Sequence, residues 1–323
     1  MTRMKMSNIS WGALFGGQGT HYKGMCNDLV KQSKSAFDVF QAANNVLNVD
    51  LLGLLEETSM KQLSVSSVAQ PLVVTASYAL FTAFYEKFSI LPDFACGHSL
   101  GEISALLCAG ALDFQEGLKF VQQRGLLMEK LASMNFRGSV GIALGVSQNV
   151  LEELVSKVNK EEYVAITAYN SSEQFLVSGK PKGLKKLETL LESNNAQFIP
   201  FCMIPMKADV PYHSLLAEPI KDELAVLVSK LKVNDMKFPV YSTVLGEPLN
   251  KDNVKDALIS QITSPVLWLQ SVGKGIEDKG TNVLIEIGPG KSTKNLVNET
   301  FDTVKCLSFD CEDDKEDLLK LFL

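Results

Sequence analysis

A serine between two glycines is the strongest candidate for chemistry in this sequence. Residues 97–101 read G-H-S-L-G and fit the G-x-S-x-G pattern, in which a serine stands on a sharp turn between a strand and a helix. A short apolar run precedes Ser99, and helix-forming residues follow it over 102–111. The glycines allow the backbone to turn sharply. The pattern predicts a nucleophile at Ser99; a glycine-flanked turn with a solvated serine is the alternative interpretation.

Three histidines could activate this hydroxyl, which by itself is a weak nucleophile at neutral pH. His98 adjoins the serine, and neighbouring side chains on a sharp turn diverge, so a packed or hydrogen-bonded role suits it better. His21 lies in the first glycine-containing loop, where a solvated side chain is the alternative. His213 lies where a loop enters a predicted helix, and a base that follows the nucleophile along the chain is the order found in α/β hydrolases. We favour His213 over the other two.

An acyl-transfer site also needs N–H donors for a negatively charged oxygen. The N–H of Leu100 is the natural first donor, and the N–H of Gln18 in the first loop is a candidate for the second. An ordinary strand-to-helix turn would explain that loop equally. Arg124 lies on a predicted helix rich in apolar residues, and arginine pairs with carboxylates through two parallel hydrogen bonds. Arg124 is thus either a binding group for an acidic substrate or a surface residue, which is the more common case.

The elements that must position these residues follow from the apolar patterns, which predict an α/β fold. The larger part has predicted helices at 68–88, 114–131, 214–231 and 253–262, and predicted strands at 11–15, 239–244 and 283–287. The middle of the chain, ending in a strand at 196–204, has the order strand-helix-strand-strand-helix-strand of a ferredoxin-like unit. We therefore predict a small domain at 137–205 inserted into a catalytic domain made of 11–136 and 206–300. Residues 301–323 are predicted to be an extension with a surface helix.

Composition and charge narrow the class of protein. Of the 323 residues 46% are hydrophobic and 21% charged, as in an ordinary globular protein, and the net charge of −6 argues against nucleic-acid binding. No apolar stretch reaches the roughly 18 residues that a membrane span needs, and the first ten residues lack the core of a secretory signal. Six cysteines without a CxxC pair indicate reduced thiols in a cytoplasm, and three histidines without HExxH argue against zinc. A monomer is the default expectation.

Six motifs occur together in the chain. They are Gly16-Gly17-Gln18-Gly19, Gln70-Pro71, Gly97-His98-Ser99-Leu100-Gly101-Glu102, Gln123-Arg124-Gly125 with Met128, Val210-Pro211-Tyr212-His213 and Glu286-Ile287-Gly288-Pro289-Gly290. Over residues 11–300 their order and spacing resemble those of the malonyl-CoA:acyl carrier protein transacylases and the related acyltransferases of polyketide synthases. The resemblance implies an α/β-hydrolase-like large domain with an inserted ferredoxin-like small domain.

The resemblance also implies a role for each candidate residue. Ser99 attacks the thioester of malonyl-CoA, and His213 is first the base and then the acid. Gln18 and Leu100 supply the oxyanion N–H groups, and Arg124 pairs with the free malonyl carboxylate. The further positions implied to bind substrate are Gln70, Met128, Tyr212, His98 and Asn170. The malonyl ester then passes to the phosphopantetheine thiol of an acyl carrier protein, with no metal and no tightly held cofactor.

Some positions depart from the family pattern. The first loop continues with Thr20-His21 where relatives often have serine and glutamine, and Leu267 stands where glutamine is common. In the family a backbone carbonyl near that second place orients the histidine. The bulky Tyr212 favours malonyl over methylmalonyl. The departures leave the acyl preference open, including hydroxymalonyl, and they favour a discrete enzyme of a polyketide pathway slightly over one of fatty-acid synthesis.

Two other functions are compatible with the same scaffold. The first is an editing hydrolase that clears stalled acyl chains; such relatives typically lack the arginine. The second is a non-catalytic module that docks a carrier protein, which the intact serine, histidine and arginine argue against. Three lysines on one predicted helix could attract an acidic carrier protein, although a solvated helix face is the more common case; they are Lys182, Lys185 and Lys186.

Overall fold

Five helices follow the first strand, and strands and helices then alternate over most of the rest of the described chain. The computed structural model describes residues 9–134, 138–200, 203 and 210–323. The strands are Gly12–Phe15 (β1), Phe94–Gly97 (β2), Ser139–Leu144 (β3), Val164–Tyr169 (β4), Gln174–Gly179 (β5), Gln197–Pro200 (β6), Val240–Tyr241 (β7), Val283–Glu286 (β8) and Lys305–Ser308 (β9). The helices are Asn27–Gln32 (α1), Lys34–Leu47 (α2), Leu51–Glu57 (α3), Met60–Leu63 (α4), Ser66–Phe88 (α5), Leu100–Cys108 (α6), Phe114–Ser133 (α7), Gln148–Val158 (α8), Pro181–Glu192 (α9), Lys221–Ser229 (α10), Val254–Ser260 (α11), Trp268–Lys279 (α12), Ser292–Asn298 (α13) and Lys315–Phe322 (α14). The predicted α/β class is confirmed.

The larger part is organised around a five-stranded parallel sheet. Its strand order is β7-β2-β1-β8-β9, and Gly12 of β1 pairs with Phe94 on one side and Leu284 on the other. Every residue of β1, β2 and β8 is buried, as expected for a parallel sheet that helices cover on both faces. Functional sites of such sheets lie at the carboxyl ends of the strands. Since β1 and β2 are neighbours, the loops that follow Phe15 and Gly97 meet at one edge.

Helix α5 is the central helix of the larger part. Its mean hydropathy is 1.3 over an 18-residue window, so by length and composition it could cross a membrane, and the prediction that no stretch is long enough was wrong. In the fold, 78% of that window is buried, and the helix packs against α2 and α7. The core of the fold therefore accounts for its apolar character.

The second sheet is antiparallel and has the strand order β4-β5-β3-β6. Helices α8 and α9 cover one face, where Phe175 and Val177 of β5 pack into a separate apolar core. The alternate residues of the same strand, Leu176 and Ser178, point to the opposite face and line a cavity. One face of this sheet thus builds the small core, and the other forms a wall of the candidate site.

The two sheets are joined at Val266. Its N–H donates to the Thr167 carbonyl at 2.9 Å, and its own carbonyl accepts from the Tyr169 N–H at 2.9 Å. Ala168 and Val266 are buried together with Trp268 in a shared apolar cluster. The segment after α11 therefore holds the small sheet beside the carboxyl edge of the large one.

Several predicted elements differ from the observed ones. The helix predicted over 214–231 divides into a 3-10 turn, Leu215–Ile220, and α10, because Pro219 has no N–H to continue the helix. The strand predicted over 239–244 is limited to β7, after which the chain turns. Of the strand predicted over 196–204, the structure shows β6, and residues 201, 202 and 204 lie outside the described part. The domain boundaries at 136/137 and 205/206 also lie outside it and stay predictions.

The C-terminal segment belongs to the larger part. Strand β9 adds to the main sheet beside β8, and Leu318, Leu321 and Phe322 of α14 pack in or against the main apolar core. The ring of Phe322 lies 6.0 Å from that of Trp11 and 5.7 Å from that of Phe84. The predicted surface helix is therefore present but half-buried, and residues 301–323 complete the fold instead of extending from it.

Candidate active site

The turn that carries Ser99 is built by close backbone contacts. Ser99 lies between β2 and α6 with φ 54° and ψ −109°, a conformation that costs a non-glycine residue about 1–3 kcal/mol. A Cβ at Gly97 would lie 2.0 Å from the carbonyl carbon of Gly101, and one at Gly101 would lie 2.1 Å from the Phe15 carbonyl oxygen. Both positions therefore require glycine. The strained turn of residues 97–101, called the elbow below, presents the hydroxyl at the edge of the sheet.

Gly101→Ala is expected to lower the free energy of unfolding by about 3 kcal/mol. The new methyl group would overlap the backbone of Phe15 and Gly16, which cannot move away because it belongs to the end of β1. Urea unfolding measures the change. The matched control is Gly273→Ala in α12, where the nearest atoms to a new Cβ belong to the Phe301 ring at 3.7 Å. There alanine is expected to be neutral or to stabilise the helix by up to about 1 kcal/mol. Equal effects at the two positions would contradict this account of the elbow.

His213 is the histidine that contacts the serine. Its Nε2 lies 2.7 Å from Ser99 Oγ, and its Nδ1 lies 2.7 Å from the backbone carbonyl oxygen of Gln261. A carbonyl oxygen can only accept a hydrogen bond, so Nδ1 carries the proton and Nε2 is left to accept from the serine hydroxyl. The backbone N–H of His213 also donates to the Ile262 carbonyl at 2.9 Å. The segment after α11 thus fixes both the orientation and the tautomer of the ring.

The surroundings of His213 keep its ring neutral. Burial in the wall of the site, followed by the positive charge of Arg124, lowers the pKa of His213 from its usual value of 6.5 to about 3. The hydrogen bond to the Gln261 carbonyl acts in the opposite direction and is outweighed. Only the neutral ring can take a proton at Nε2, so at neutral pH His213 is in the protonation state that a general base requires.

The other two histidines make different contacts. Nε2 of His98 lies 2.8 Å from Asn170 Oδ1, and its ring centroid is 5.6 Å from that of Trp268. Nε2 of His21 lies 3.3 Å from the hydroxyl oxygen of Ser64, and His21 is buried, not solvated as the alternative interpretation expected. Neither ring makes the hydrogen bond to Ser99 Oγ.

The loop after β1 lies directly against the elbow. A Cβ at Gly17 would meet the His98 carbonyl oxygen at 2.7 Å, so this approach requires glycine. The side chain of Gln18 donates to Ser66 Oγ at 3.2 Å, which holds the loop in place. Within the described part of the chain, neither the Gln18 nor the Leu100 backbone N–H donates a hydrogen bond. Both are therefore available for a ligand oxygen at the start of α6.

Arg124 is a buried cation on α7, with 2% of its surface exposed. Its Nη1 donates to Gln70 Oε1 at 2.8 Å, and its Nη2 donates to Gln261 Oε1 at 2.9 Å. Among the described residues no carboxylate contacts the guanidinium, whose charge is met by neutral amide oxygens. Burial lowers the pKa of Arg124 to about 10, so it stays charged at neutral pH.

Most of the predicted site residues line one cavity of about 400 Å³. Its lining includes Ser99, His213, Gln18, Leu100, Arg124, Met128, Tyr212 and His98. Gln70 and Asn170 do not line it, so their predicted role in direct substrate binding is not supported. They lie behind the wall, where Gln70 holds Arg124 and Asn170 holds His98. Val140, Thr167, Leu176 and Ser178 of the small sheet close the opposite side.

A buried carboxylate lies beneath the elbow. Glu102 is fully buried on α6 and accepts hydrogen bonds from the Thr243 N–H at 2.6 Å, the Thr243 hydroxyl at 2.8 Å and the Ser242 hydroxyl at 3.1 Å. Burial raises the pKa of Glu102 to about 7, against the effect of these bonds. The Thr243 hydroxyl also lies 3.3 Å from the Gly97 carbonyl oxygen. These contacts tie the elbow to the segment after β7.

Comparison with known proteins bears on this geometry. The family described as "acyl transferase domain" matches residues 14–314 of the chain. The chain belongs to this family. It is 33% identical over 305 residues to the malonyl CoA-acyl carrier protein transacylase of Bacillus subtilis, covering 94% of this chain and 93% of the relative.

Solved structures agree with the family. The malonyl CoA-acyl carrier protein transacylase of Coxiella burnetii superposes with a TM-score of 0.91 at 28% identity, covering 99% of both chains. A type II polyketide synthase acyl-carrier protein in complex with its malonyl-transacylase superposes with a TM-score of 0.88 at 27% identity, covering 97% of this chain and 99% of that one. These likenesses span nearly the whole acyl transferase.

Sequence reasoning missed Gln261 in this acyl transferase. The family resemblance implied an orienting carbonyl near Leu267, whereas in the structure His213 Nδ1 lies 2.7 Å from the carbonyl oxygen of Gln261. No sequence pattern around Gln261 indicates its role, because its partners Ser99, Arg124 and His213 are distant in sequence. Glu102, by contrast, directly follows the elbow, and its place inside an apolar helix was a usable signal for a buried carboxylate.

Proposed function

We propose that this acyl transferase moves a malonyl group from malonyl-CoA to the phosphopantetheine thiol of an acyl carrier protein. The names of its relatives support both substrates. One observation supports malonyl as the acyl group. Arg124 lines the same cavity as Ser99 and His213, and its buried guanidinium contacts no carboxylate among the described residues. A dicarboxylic acyl group supplies the missing anionic partner, because a carboxylate buried without a charged partner costs several kcal/mol and its attraction to the guanidinium offsets much of that cost.

The first half-reaction forms a malonyl ester on Ser99. His213 Nε2 takes the hydroxyl proton while Oγ attacks the thioester carbon, and the carbonyl oxygen becomes an oxyanion. The backbone N–H groups of Gln18 and Leu100 stabilise this charge. The intermediate then collapses: the carbon–sulfur bond breaks, the sulfur leaves with the electron pair, and the proton on His213 passes to it. CoA departs as a thiol.

The second half-reaction reverses these steps with a different thiol. His213 removes the proton of the carrier's phosphopantetheine thiol, and the thiolate attacks the ester carbon. The same two N–H groups hold the second oxyanion. The bond to Ser99 Oγ breaks, and His213 returns the proton to the serine. The reaction requires no metal and no organic cofactor beyond the CoA thioester, because serine and histidine carry every proton and bond change.

The residues that line the cavity also affect which acyl group it accepts. Tyr212 precedes the base and lines the cavity, and burial raises its pKa to about 12, so its hydroxyl stays neutral. Its bulk leaves malonyl preferred over methylmalonyl. Hydroxymalonyl is the alternative diacyl unit, since a hydroxyl is slightly smaller than a methyl group and the cavity wall includes the polar side chains of Thr167 and Ser178. Malonyl transfer follows the same chemistry in polyketide synthesis and in fatty-acid synthesis.

The intact mass of the protein after incubation with single acyl-CoAs tests the proposal. Malonyl-CoA is expected to add one malonyl group that leaves on addition of a holo acyl carrier protein, whose mass rises by the same amount. Acetyl-CoA is expected to add little. Release of the acyl group to water with no gain of mass by the carrier would support the editing hydrolase instead.

The lowered pKa of His213 predicts how the rate of serine loading depends on pH. Because Nε2 must be unprotonated, kcat/KM for serine loading falls as pH drops through the pKa of His213, which lies below the usual 6.5. The midpoint of the acid limb is therefore expected below pH 6.5. Arg124→Met removes one cause of the lowered pKa and should move the midpoint upward when acetyl-CoA is the substrate. A midpoint at or above 6.5 in the unchanged protein would contradict the proposed environment.

The predicted lysine surface for the carrier protein is only partly available. Lys185 pairs with Glu188 at 2.7 Å and Lys186 pairs with Glu161, while Lys182 forms no ion pair with the residues that the structure describes. Exposed pairs of this kind are weak, and an acidic partner could displace them. The surface stays a prediction, with Lys182 as its strongest member.

We also propose an α/β-hydrolase-like large domain with a ferredoxin-like insertion at 137–205. The strand order β4-β5-β3-β6 and two helices on one face support the second description. A monomer in the cytoplasm fits the substrates and the free thiols of Cys26, Cys96, Cys108 and Cys306, which are buried and unbridged. Cys202 lies outside the described residues.

A further inference from the structure

Three parts of the active site converge on Gln261. Its backbone carbonyl accepts from His213 Nδ1 at 2.7 Å, its Oε1 accepts from Arg124 Nη2 at 2.9 Å, and its Nε2 donates to the backbone carbonyl of Ser99 at 3.1 Å. The residue is 1% exposed and directly follows α11. One residue therefore contacts the base, the cation and the nucleophile's own backbone.

The chemistry of the two side-chain contacts fixes how the amide is oriented. A guanidinium only donates and a carbonyl only accepts, so the amide oxygen must face Arg124 and the amide nitrogen must face Ser99. Glutamate has the same length and no donor for the carbonyl, and methionine has neither group. The amide is thus a spacer of fixed length and polarity between Arg124 and the elbow.

We infer that the side chain of Gln261 is a positioning residue that sets the separation between Arg124 and Ser99, and so selects malonyl over acyl groups of other length or charge. This inference rests on the proposed function, because the acid end of malonyl must reach Arg124 while its thioester carbon reaches Ser99. The acid end and the thioester carbon of a three-carbon diacid are a fixed distance apart. A longer diacid does not match the separation between Arg124 and Ser99, and an acyl chain without an acid end has no group to place at Arg124. Hydrogen bonds to a buried charge hold such a distance most firmly.

The side chain and the backbone of Gln261 have separable effects. The carbonyl that orients His213 belongs to the backbone and remains after any side-chain substitution. A change in the side chain should therefore alter recognition of the acid end while leaving the base in place. A purely structural side chain would instead slow all substrates together.

The test compares Gln261→Met, Gln261→Glu and the unchanged protein for serine loading from malonyl-, succinyl- and acetyl-CoA. In Gln261→Met, kcat/KM for malonyl-CoA is expected to fall about 10-fold or more. The acetyl-CoA value should change by less than about 3-fold, and the midpoint of the acid limb should not move. The ratio of malonyl to succinyl loading should also fall, because the spacer is gone.

Gln261→Glu is the second variant, since it keeps the shape and volume of the side chain. Its carboxylate pairs with Arg124 and competes with the malonyl carboxylate, so KM for malonyl-CoA should rise more than in Gln261→Met. Gln123→Met is the matched control, an exposed glutamine next to Arg124 on α7, and it should leave all three substrates unchanged.

The possible outcomes separate a failure of this inference from a failure of the proposed malonyl transfer. Failure of the unchanged protein to prefer malonyl-CoA over acetyl-CoA would overturn the proposed function. A normal preference that survives in both Gln261 variants would overturn the inference alone. A uniform loss for malonyl, succinyl and acetyl groups, with a lowered unfolding temperature, would also overturn it and assign the side chain a structural role.

Discussion

Ser99→Ala is expected to abolish acyl loading, lowering the rate by about 10,000-fold or more. The hydroxyl oxygen is the atom that forms the ester, and the 2.7 Å contact with His213 Nε2 is the route by which its proton leaves. Alanine removes both the nucleophile and the proton. Incubation with radiolabelled malonyl-CoA, followed by precipitation of the protein, measures the loss.

The control for this variant lies in the helix that follows the elbow. Ser104 on α6 is fully buried, and its hydroxyl has no hydrogen-bond partner among the described residues. Ser104→Ala should therefore retain full loading. His213→Ala should lose about as much activity as Ser99→Ala, and the double variant should lose little more, because the two residues act as a unit. Label that remains on the Ser99→Ala protein would place the nucleophile elsewhere.

Arg124→Met is expected to remove the preference for a dicarboxylic acyl group. Without the cation, the malonyl carboxylate would enter a buried site with no charged partner, and kcat/KM for malonyl-CoA should fall about 100- to 1,000-fold. Acetyl-CoA has no such carboxylate, so its loading should persist or improve. Steady-state loading with each CoA thioester gives the ratio.

Two further variants sharpen the test of Arg124. Arg124→Lys keeps the charge and loses the planar fork that contacts Gln70 and Gln261, so its malonyl loading should lie between those of Arg124→Met and the unchanged protein. Lys119→Met removes an exposed cation from the same helix and should have no effect. A malonyl-to-acetyl ratio that is the same in Arg124→Met and the unchanged protein would rule out the proposed role of the guanidinium.

Strongly periodic elements were predictable from the sequence. Helix α7, predicted at 114–131, begins at the predicted residue and ends two residues after the predicted end, since its apolar residues recur at helical spacing and face the main core. Helix α12 was not predicted, because glycines at 273 and 275 lower its intrinsic helix propensity. The fold requires one of them: a Cβ at Gly275 would lie 2.3 Å from the Phe94 ring. Packing across the sheet, which no local pattern records, decides this helix.

The C-terminal elements show the same limit. Strand β9 has four residues, too few to give a clear alternation, and it exists because β8 offers it a row of backbone hydrogen bonds. The acidic run that begins at Glu312 suggested a solvated surface helix. Only the folded chain shows that Phe322 reaches Trp11 and the rings of α5.

The sequence by itself determined the local chemistry of this protein. The G-x-S-x-G pattern indicates the turn at Ser99, and the succession of apolar runs indicates an α/β chain, because such patterns are recorded by neighbours within a few residues. The tertiary structure decided which groups meet. Ser99 and Gln261 are 162 positions apart, and Arg124 and Gln261 are 137 apart, so only the packing of α7 and α11 around the sheet brings them within hydrogen-bond distance. The burial that lowers the pKa of His213 has the same origin, since side chains from both sheets enclose the cavity.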